Sequence, residues 1–594
     1  MKRIQDKIKN IGLMGLTGLM LASCADFLEI KPQNEIIMED FWNEKADVEN
    51  IVAGCYSALL GDGVRRRMMV WGEGRSDNMM SGVNVTSDAS LYNILKENLT
   101  AMNGYTTWDG FYDVINRCNT VLKYAPGVAQ IDPAYTDGDL KATVAEVSAL
   151  RDLCYFYLIR TFRDVPYSEE AFTDDDQVMD LPATPFETVL SNLIADLEKV
   201  KDDAVVRYPE EKPRYQTGRI TRDAIYAMLC EMYLWKKDYD NCIRYAELVI
   251  QSKKALYEEE QNKGGNRSSI RGGNQAVIEA RLNGYPLVNE NWSGTASNFG
   301  QAYEQIFIDG GSRETIFELS YENRPADANR TNNSAISALY GHSNVSKGLM
   351  AASSAVTDDA TQTSGRLIFE DKNGMLDARL YENCDRETGA ILKYVAQSFT
   401  IDATSANKTT APKVSHSEFA ENNNGSKWII YRLPDIMLLE AEALCQQMKD
   451  GNDSTTLAQN EPLMKKAFTL VNAINKRSIL KTILTDADTL KMSDYTTKNL
   501  MTELVKRERH RELMFEGKRW YDLVRYCMRS GTTEEVMAVA GKRDDVNSQF
   551  VQSFFRKMDA IFWPYNNEEM KVNLNLIPNP AFGTGENSSY EKTK

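Results

Sequence analysis

Val144, Val147, Cys154, Leu158 and Phe162 recur at steps of three, four or seven residues, which predicts one apolar helix face. Asp164-Val165-Pro166 ends it, because a residue before proline is pushed out of the helical region. A clearer pattern follows at 221–252, TRDAIYAMLCEMYLWKKDYDNCIRYAELVIQS. Two amphipathic segments flank the polar turn Lys236-Lys237-Asp238, with Ala227, Tyr233, Leu234, Tyr239, Ile243 and Ala246 at the contact positions. Small residues let paired helices approach and aromatic rings fill the wedge, predicting one tetratricopeptide-like unit of about 34 residues. A weaker pair starts at Tyr431-Arg432-Leu433-Pro434, breaks at 451–454 and resumes in MKKAFTLVNAINKRS. The helices around Trp108-Asp109-Gly110-Phe111-Tyr112 supply a further unit. The predicted fold is mainly α, with such pairs at about 108–165, 218–252 and 428–480 forming a curved scaffold.

Between these blocks the periodicity stops. Residues 258–300 carry Gly264-Gly265, Gly272-Gly273, Tyr285, Trp292 and Phe299, and 321–365 and 396–426 are rich in Asn, Ser, Thr and Gly. Loop-rich insertions this long (about 253–427) in a compact protein are usually functional or disordered. Aromatic rings on a polar background suit a sugar- or peptide-binding surface. Rings stack on apolar pyranose faces, while amides and guanidinium groups bond the hydroxyls.

The N-terminus changes the picture most. MKRIQDKIKN carries four bases against one acid, and IGLMGLTGLMLA after it is uncharged and too short to span a bilayer, which takes about 20 apolar residues. The sequence then reads Leu21-Ala22-Ser23-Cys24, which resembles a bacterial lipobox. This predicts a signal peptide at 1–23, acylation at Cys24, and a lipidated tether over 24–40. Each buried methylene of an acyl anchor adds about 0.8 kcal/mol. The net charge of −16 argues against nucleic acid, which demands a basic face. Cys154, Cys230, Cys242 and Cys445 lie in helical patterns without C-x-x-C spacing, so they read as small buried apolar residues. His342, His416 and His510 are the only histidines and have no ligand pattern, so neither a metal nor any other cofactor is expected.

Taken in order, several segments resemble the SusD/RagB family of surface nutrient-binding lipoproteins. They are LASC, FWNEKADVENIVAGCYSAL (41–59), WDGFYDVINRCNTVL (108–122), VSALRDLCYFYLIRTFRDVPY (147–167) and GRITRDAIYAMLCEMYLWKKDY (218–239). ETIFELSY (314–321), YRLPDIMLLEAEAL (431–444), ERHRELMFEGKRWYDLVRY (508–526) and LNLIPNP (574–580) continue the match. Two departures stand out: Arg151-Asp152 replaces the usual arginine-alanine pair, and Arg163 replaces a glycine before the Asp-Val-Pro turn. The resemblance implies a helical, non-catalytic binding protein on the outer face of the outer membrane. It implies an oligosaccharide or, in some members, a peptide ligand, and a SusC-like TonB-dependent transporter as partner.

The shared motifs do not carry the ligand contacts, so these are expected from two regions adjacent in family members. One is Arg75, Asp77 and Asn78 with the following loop holding Tyr92 and Tyr105; the other is Tyr285 and Trp292, with Tyr321, Asn323 and Arg330. Trp292 lies among Asn289, Asn291 and Ser293, where an indole has no apolar run to join, whereas Trp108, Trp235 and Trp428 read as core. A hydrolase is the rival reading, with Glu508, Glu512 and Glu516 as candidates. Carboxylates on successive helical turns point the same way and cannot straddle a glycosidic bond, which needs them about 5–9.5 Å apart on either side. Neighbouring Arg509, Arg511, Arg519 and Arg525 predict ion pairing instead.

Overall fold

The computed structural model describes residues 41–174, 176–263, 281–290, 298–321, 332–342, 346–357, 368–369, 374–541, 543 and 545–583. The signal segment, Cys24 and the tether lie outside these residues, as do Trp292, Asn323 and Arg330. The longer helices are α1 (Lys45–Leu59), α2 (Asp62–Glu73), α3 (Asp109–Ile131), α4 (Asp137–Phe162), α5 (Phe186–Val200) and α6 (Arg222–Lys236). They continue as α7 (Tyr239–Lys263), α8 (Leu433–Gln447), α9 (Ser454–Arg477), α10 (Lys498–Leu513) and α11 (Arg519–Ser530). Each packs on the next along most of the chain: α3 on α4, α4 on α5, α5 on α6, α6 on α7, and then α7 on α8 across the loop-rich stretch. Helical pairs stand at Asp109–Phe162 (α3, α4), Arg222–Lys263 (α6, α7) and Leu433–Arg477 (α8, α9). The second is longer than predicted, because α7 runs on to Lys263 and absorbs the start of the predicted insertion.

Local chemistry fixes the helix ends. Thr221 accepts from the Ala224 amide to open α6, and Lys237 closes it in the left-handed region at φ 64°. Asp453 caps α9 by accepting from the Thr455 and Thr456 amides. At the end of α4, Arg163 adopts φ 71° and ψ −78°, and the Asp164 amide donates to the Phe162 carbonyl at 3.1 Å. That is a γ-turn of the strained hand, easy for the family's glycine and costly for an arginine. Its guanidinium bonds Asp559 at 2.6 Å, a contact glycine lacks. The other departure is also used internally, since buried Arg151 bonds Asp152, Asp196 and Asn119.

Strands are few and short. β1 (Thr315–Leu319) pairs antiparallel with β4 (Trp428–Arg432), and both are buried at every position. β2 (Ala396–Asp402) pairs with β3 (Lys413–Glu418), and Asn298–Phe299 adds to the other edge of β2. Trp108, Trp235 and Trp428 are core residues; Trp108 meets Phe162 at 5.1 Å and Trp428 meets Tyr394 at 5.2 Å between ring centroids. The described cysteines are buried and form no disulfide with one another. No described helix is long and apolar enough to cross a membrane.

Candidate ligand-binding face

The segment 75–78 leaves the C-terminal end of α2 and turns inward. Arg75 is fully buried against the rings of Trp520 and Phe555 and donates to Glu97 at 3.1 Å and to the Ala560 carbonyl at 3.0 Å. Arg543 holds the other Glu97 oxygen at 2.9 Å. Asp77 accepts two bonds from Arg519, at 2.8 and 3.0 Å. Burial alone would raise the Asp77 carboxyl; the Arg519 guanidinium overrides it and pulls the group well below the usual carboxylate range. Asn78 donates to Glu73 at 3.0 Å, and its carbonyl meets His510 Nε2 at 2.5 Å. These three side chains are committed to internal partners. Exposing one to a ligand leaves a charge or amide unpaired in the interior, which is strongly unfavourable. The expectation that they contact ligand is corrected to a bracing role.

The aromatic candidates divide similarly. Tyr105 is buried, its hydroxyl donates to Asp88 at 2.9 Å, and burial pushes its titration upward. Tyr321 is buried with the Arg65 guanidinium 4.9 Å from its ring centroid. Tyr285 is buried with the Lys254 ammonium 4.5 Å from its ring, and burial pushes its hydroxyl up to about 12. Their rings are therefore enclosed, not offered to a sugar. Tyr92 is the exception: the residue is 36% exposed, with the Lys96 ammonium 5.6 Å from its ring centroid.

The structure brings parts of the two predicted regions together, at the first turns of α2. Asp62 bonds Arg66 at 2.6 Å and accepts from Ser334 at 2.6 Å, Arg66 interacts with Tyr105, and Arg65 covers Tyr321 and donates to the Asn332 carbonyl. The stretch holding Asn323 and Arg330 thus leaves and rejoins the described chain beside this turn. Tyr285 is not part of the group; it packs beside Lys254 on α7. Asp62 and Arg66 were missed by sequence reasoning, since a charged pair at i,i+4 reads as ordinary helix surface. Glu290 is a third residue that was missed. Its carboxylate accepts from the amides of Gly300, Gln301 and Ala302 at 3.0, 3.0 and 3.2 Å, tying together the two ends of the stretch that holds Trp292.

The carboxylates of the hydrolase reading are locked in ion pairs. Glu512 bonds Arg432 at 2.6 Å and Arg379 at 3.1 Å, and also pairs with Arg477. Glu508 bonds Arg379 at 2.8 Å and Arg511 at 2.6 Å; Glu516 bonds Arg432 at 2.7 Å and Lys393 at 2.9 Å. Burial would raise the Glu512 carboxyl, but Arg477, Arg432 and Arg379 drag it well below the usual range. The gap beside Glu512 is about 30 Å³, room for about one water and not for a sugar ring. Among the described residues no group of three or more His, Cys, Asp or Glu is arranged to hold a metal ion.

Comparison with known proteins agrees with the architecture. A family model described as the SusD family matches residues 304–582, and one described as starch-binding associating with outer membrane matches 26–234. A SusD-like protein of Formosa agariphila is 22% identical over 572 residues, covering 94% of this chain and 96% of its own. A SusD-like protein of Bacteroides ovatus is 25% identical over 234 residues, 39% of this chain and 40% of its own. Among solved structures, a SusD superfamily protein from Bacteroides vulgatus superposes with a TM-score of 0.59 at 16% identity, covering 91% of this chain and 100% of its own. A laminarin binding SusD-like protein gives 0.57 at 17% identity, over 91% and 100%. Two family matches that together span most of the chain lead to one conclusion: the chain belongs to the SusD/RagB family.

Proposed function

We propose that this protein captures an oligosaccharide on its loop-rich face and delivers it to a SusC-like TonB-dependent outer-membrane transporter. Acyl chains on Cys24 hold it to the outer membrane, facing the cell exterior. The observation that carries this reading is the pair of family matches over 26–234 and 304–582, the first described as starch-binding in association with the outer membrane. The laminarin-binding neighbour of the same fold supports a glycan as cargo. Chemistry on the face is consistent with binding alone: Tyr92 offers a ring, Asp62 and Arg66 offer polar groups, and Glu508 and Glu512 of α10, with Glu516 just past its end, are all paired.

The test is calorimetry on the chain from residue 25 onward, against laminarin and malto-oligosaccharides with a peptide panel alongside. A glycan is expected to bind and to be recovered uncut after long incubation. Trp292→Ala is expected to weaken binding at least tenfold, about 1.4 kcal/mol, with an unchanged melting temperature. Equal affinity would remove Trp292 from the face, peptide as the preferred ligand would replace the cargo, and shortened glycan would overturn the binding-protein reading.

The anchor has its own test. Cys24→Ala is expected to leave an uncleaved or unlipidated precursor that no longer fractionates with outer-membrane lipid. Retention with lipid would show that another segment anchors the chain. Asp26 and Glu29 resemble the surface-export signal of this class, and protease shaving of intact cells reads the orientation directly.

A further inference from the structure

A cleft of about 390 Å³ opens between three separate stretches: residues 207–217, positions 253–260 of α7, and the turn 311–313 that leads into β1. Small-ligand sites typically occupy about 300–1,000 Å³. Tyr208, Pro209, Leu256 and Tyr257 give it apolar wall. Its charged groups cancel, three bases (Arg207, Lys253, Arg313) against three acids (Glu210, Glu259, Glu260). Two of the bases already have partners. Arg207 bonds Glu259 at 2.8 Å, and Lys253 donates to the Thr315 carbonyl at 2.5 Å.

Arg313 differs. Its guanidinium sits 4.7 Å from the centroid of the Tyr257 ring, and its buried Nη1 has no hydrogen-bond partner. A buried donor without an acceptor is costly, so this atom favours any ligand that brings one. Glu260, on the solvent-exposed rim, supplies an acceptor.

We propose that this cleft is a second binding site, and that it takes a short neutral saccharide. An anionic ligand would meet three carboxylates there, and a cationic ligand three bases. A purely apolar ligand would strip water from charged groups without replacing its hydrogen bonds. A sugar hydroxyl both accepts and donates, which fits a wall that offers Arg313 and Glu260 together, while the ring's apolar face fits the tyrosine and proline surface. The cleft is separate from the face around α2. Arg313 precedes β1 and Tyr321 follows it, so a five-residue strand, roughly 17 Å long, stands between the two. The proposal therefore does not depend on the candidate face around α2.

Saturation-transfer NMR titrations with maltose, cellobiose and laminaribiose, with glucuronate and triglycine as charged comparators, test it on the chain from residue 25 onward. Working in the Trp292→Ala background keeps the first face out of the measurement. At least one disaccharide is expected to bind in that background, and Arg313→Gln and Glu260→Ala are each expected to weaken it fivefold or more. Glu260 is exposed, so its variant keeps the test sound if Arg313→Gln melts early. Absence of binding by all three disaccharides, indifference to both substitutions, or stronger saturation of glucuronate or triglycine would each overturn the proposal.

Discussion

Glu512→Ala is expected to be the most damaging single substitution within the helical scaffold, abolishing a soluble folded product or shifting the denaturation midpoint far below that of the parent. Its carboxylate is shared by Arg379, Arg432 and Arg477, brought together from three remote parts of the chain. Removing one member of a buried ion pair typically costs 3–5 kcal/mol, because the partner charge stays buried without compensation. Here three guanidinium groups lose a common anion. Glu508, Glu516 and Glu314 remain, each already engaged with arginine. A control at Glu503, whose side chain is 66% exposed beside Lys506 on the same helix, is expected to change stability by less than about 1 kcal/mol. Urea denaturation followed by tyrosine and tryptophan fluorescence compares them, and matching midpoints for the two variants would refute the central role of the cluster.

Acidification is the second large effect. In Glu442 burial opposes ionisation, but Arg525 and Arg529 win and bring its carboxyl down to about 2. Glu508, Glu512 and Glu516 are lowered in the same way by their arginines and, for Glu516, by Lys393 as well. A depressed carboxylate contributes stability that is complete above its unfolded value, near 4.5, and is lost as pH falls through the folded value. His510 acts in the same sense from higher pH, since burial and Arg519 lower it to about 3 and hold it neutral inside. Glu73 and Glu382 act oppositely. Burial raises them to about 7 and about 8, so their contribution is complete below pH 4.5 and fades as pH rises through those values. Thermal unfolding across the pH range is therefore expected to fall away steeply below pH 4.5 and gently towards pH 8. A melting temperature that holds constant from pH 5 down to pH 2.5 would contradict this account.

The helical succession was legible because its signal is local. In 221–252 two apolar faces are separated by a polar turn of three residues, and no distant contact is needed to see it. The pairing of Glu508, Glu512 and Glu516 was also legible from the arginines around them, although α10 ends at Leu513 and leaves Glu516 in the turn beyond it, off the predicted helix face. Apart from Arg511, which bonds Glu508, their partners were not. Arg379 and Arg477 do not neighbour α10 in sequence, and Arg432 arrives through the pairing of β4 with β1. The candidate face was least legible. Arg75, Asp77 and Asn78 look like surface residues because they are polar and lie between elements. What buries them is Glu97, Arg519 and His510, the last two more than 400 residues further on. No periodicity within a short window records such a contact. Tyr105 and Tyr321 failed for a related reason, since a ring beside polar residues reads as exposed until its cover is known.

The contacts that close the N-terminal third carry a consequence for the order of folding. Arg75 donates to the carbonyl of Ala560, Arg163 bonds Asp559, the Trp563 amide donates to Thr161, and the Asn567 amide donates to Ala101. Each joins an early segment to the last part of the described chain, so the early helices cannot satisfy their buried polar groups until that part arrives. Contacts so far apart in sequence carry a large loop-closure entropy and slow the search for the native state. A chain emerging N-terminus first therefore holds α2 to α4 in an incomplete, exchangeable state for most of its synthesis. It reaches its closed form only when residues 559–567 are free to dock.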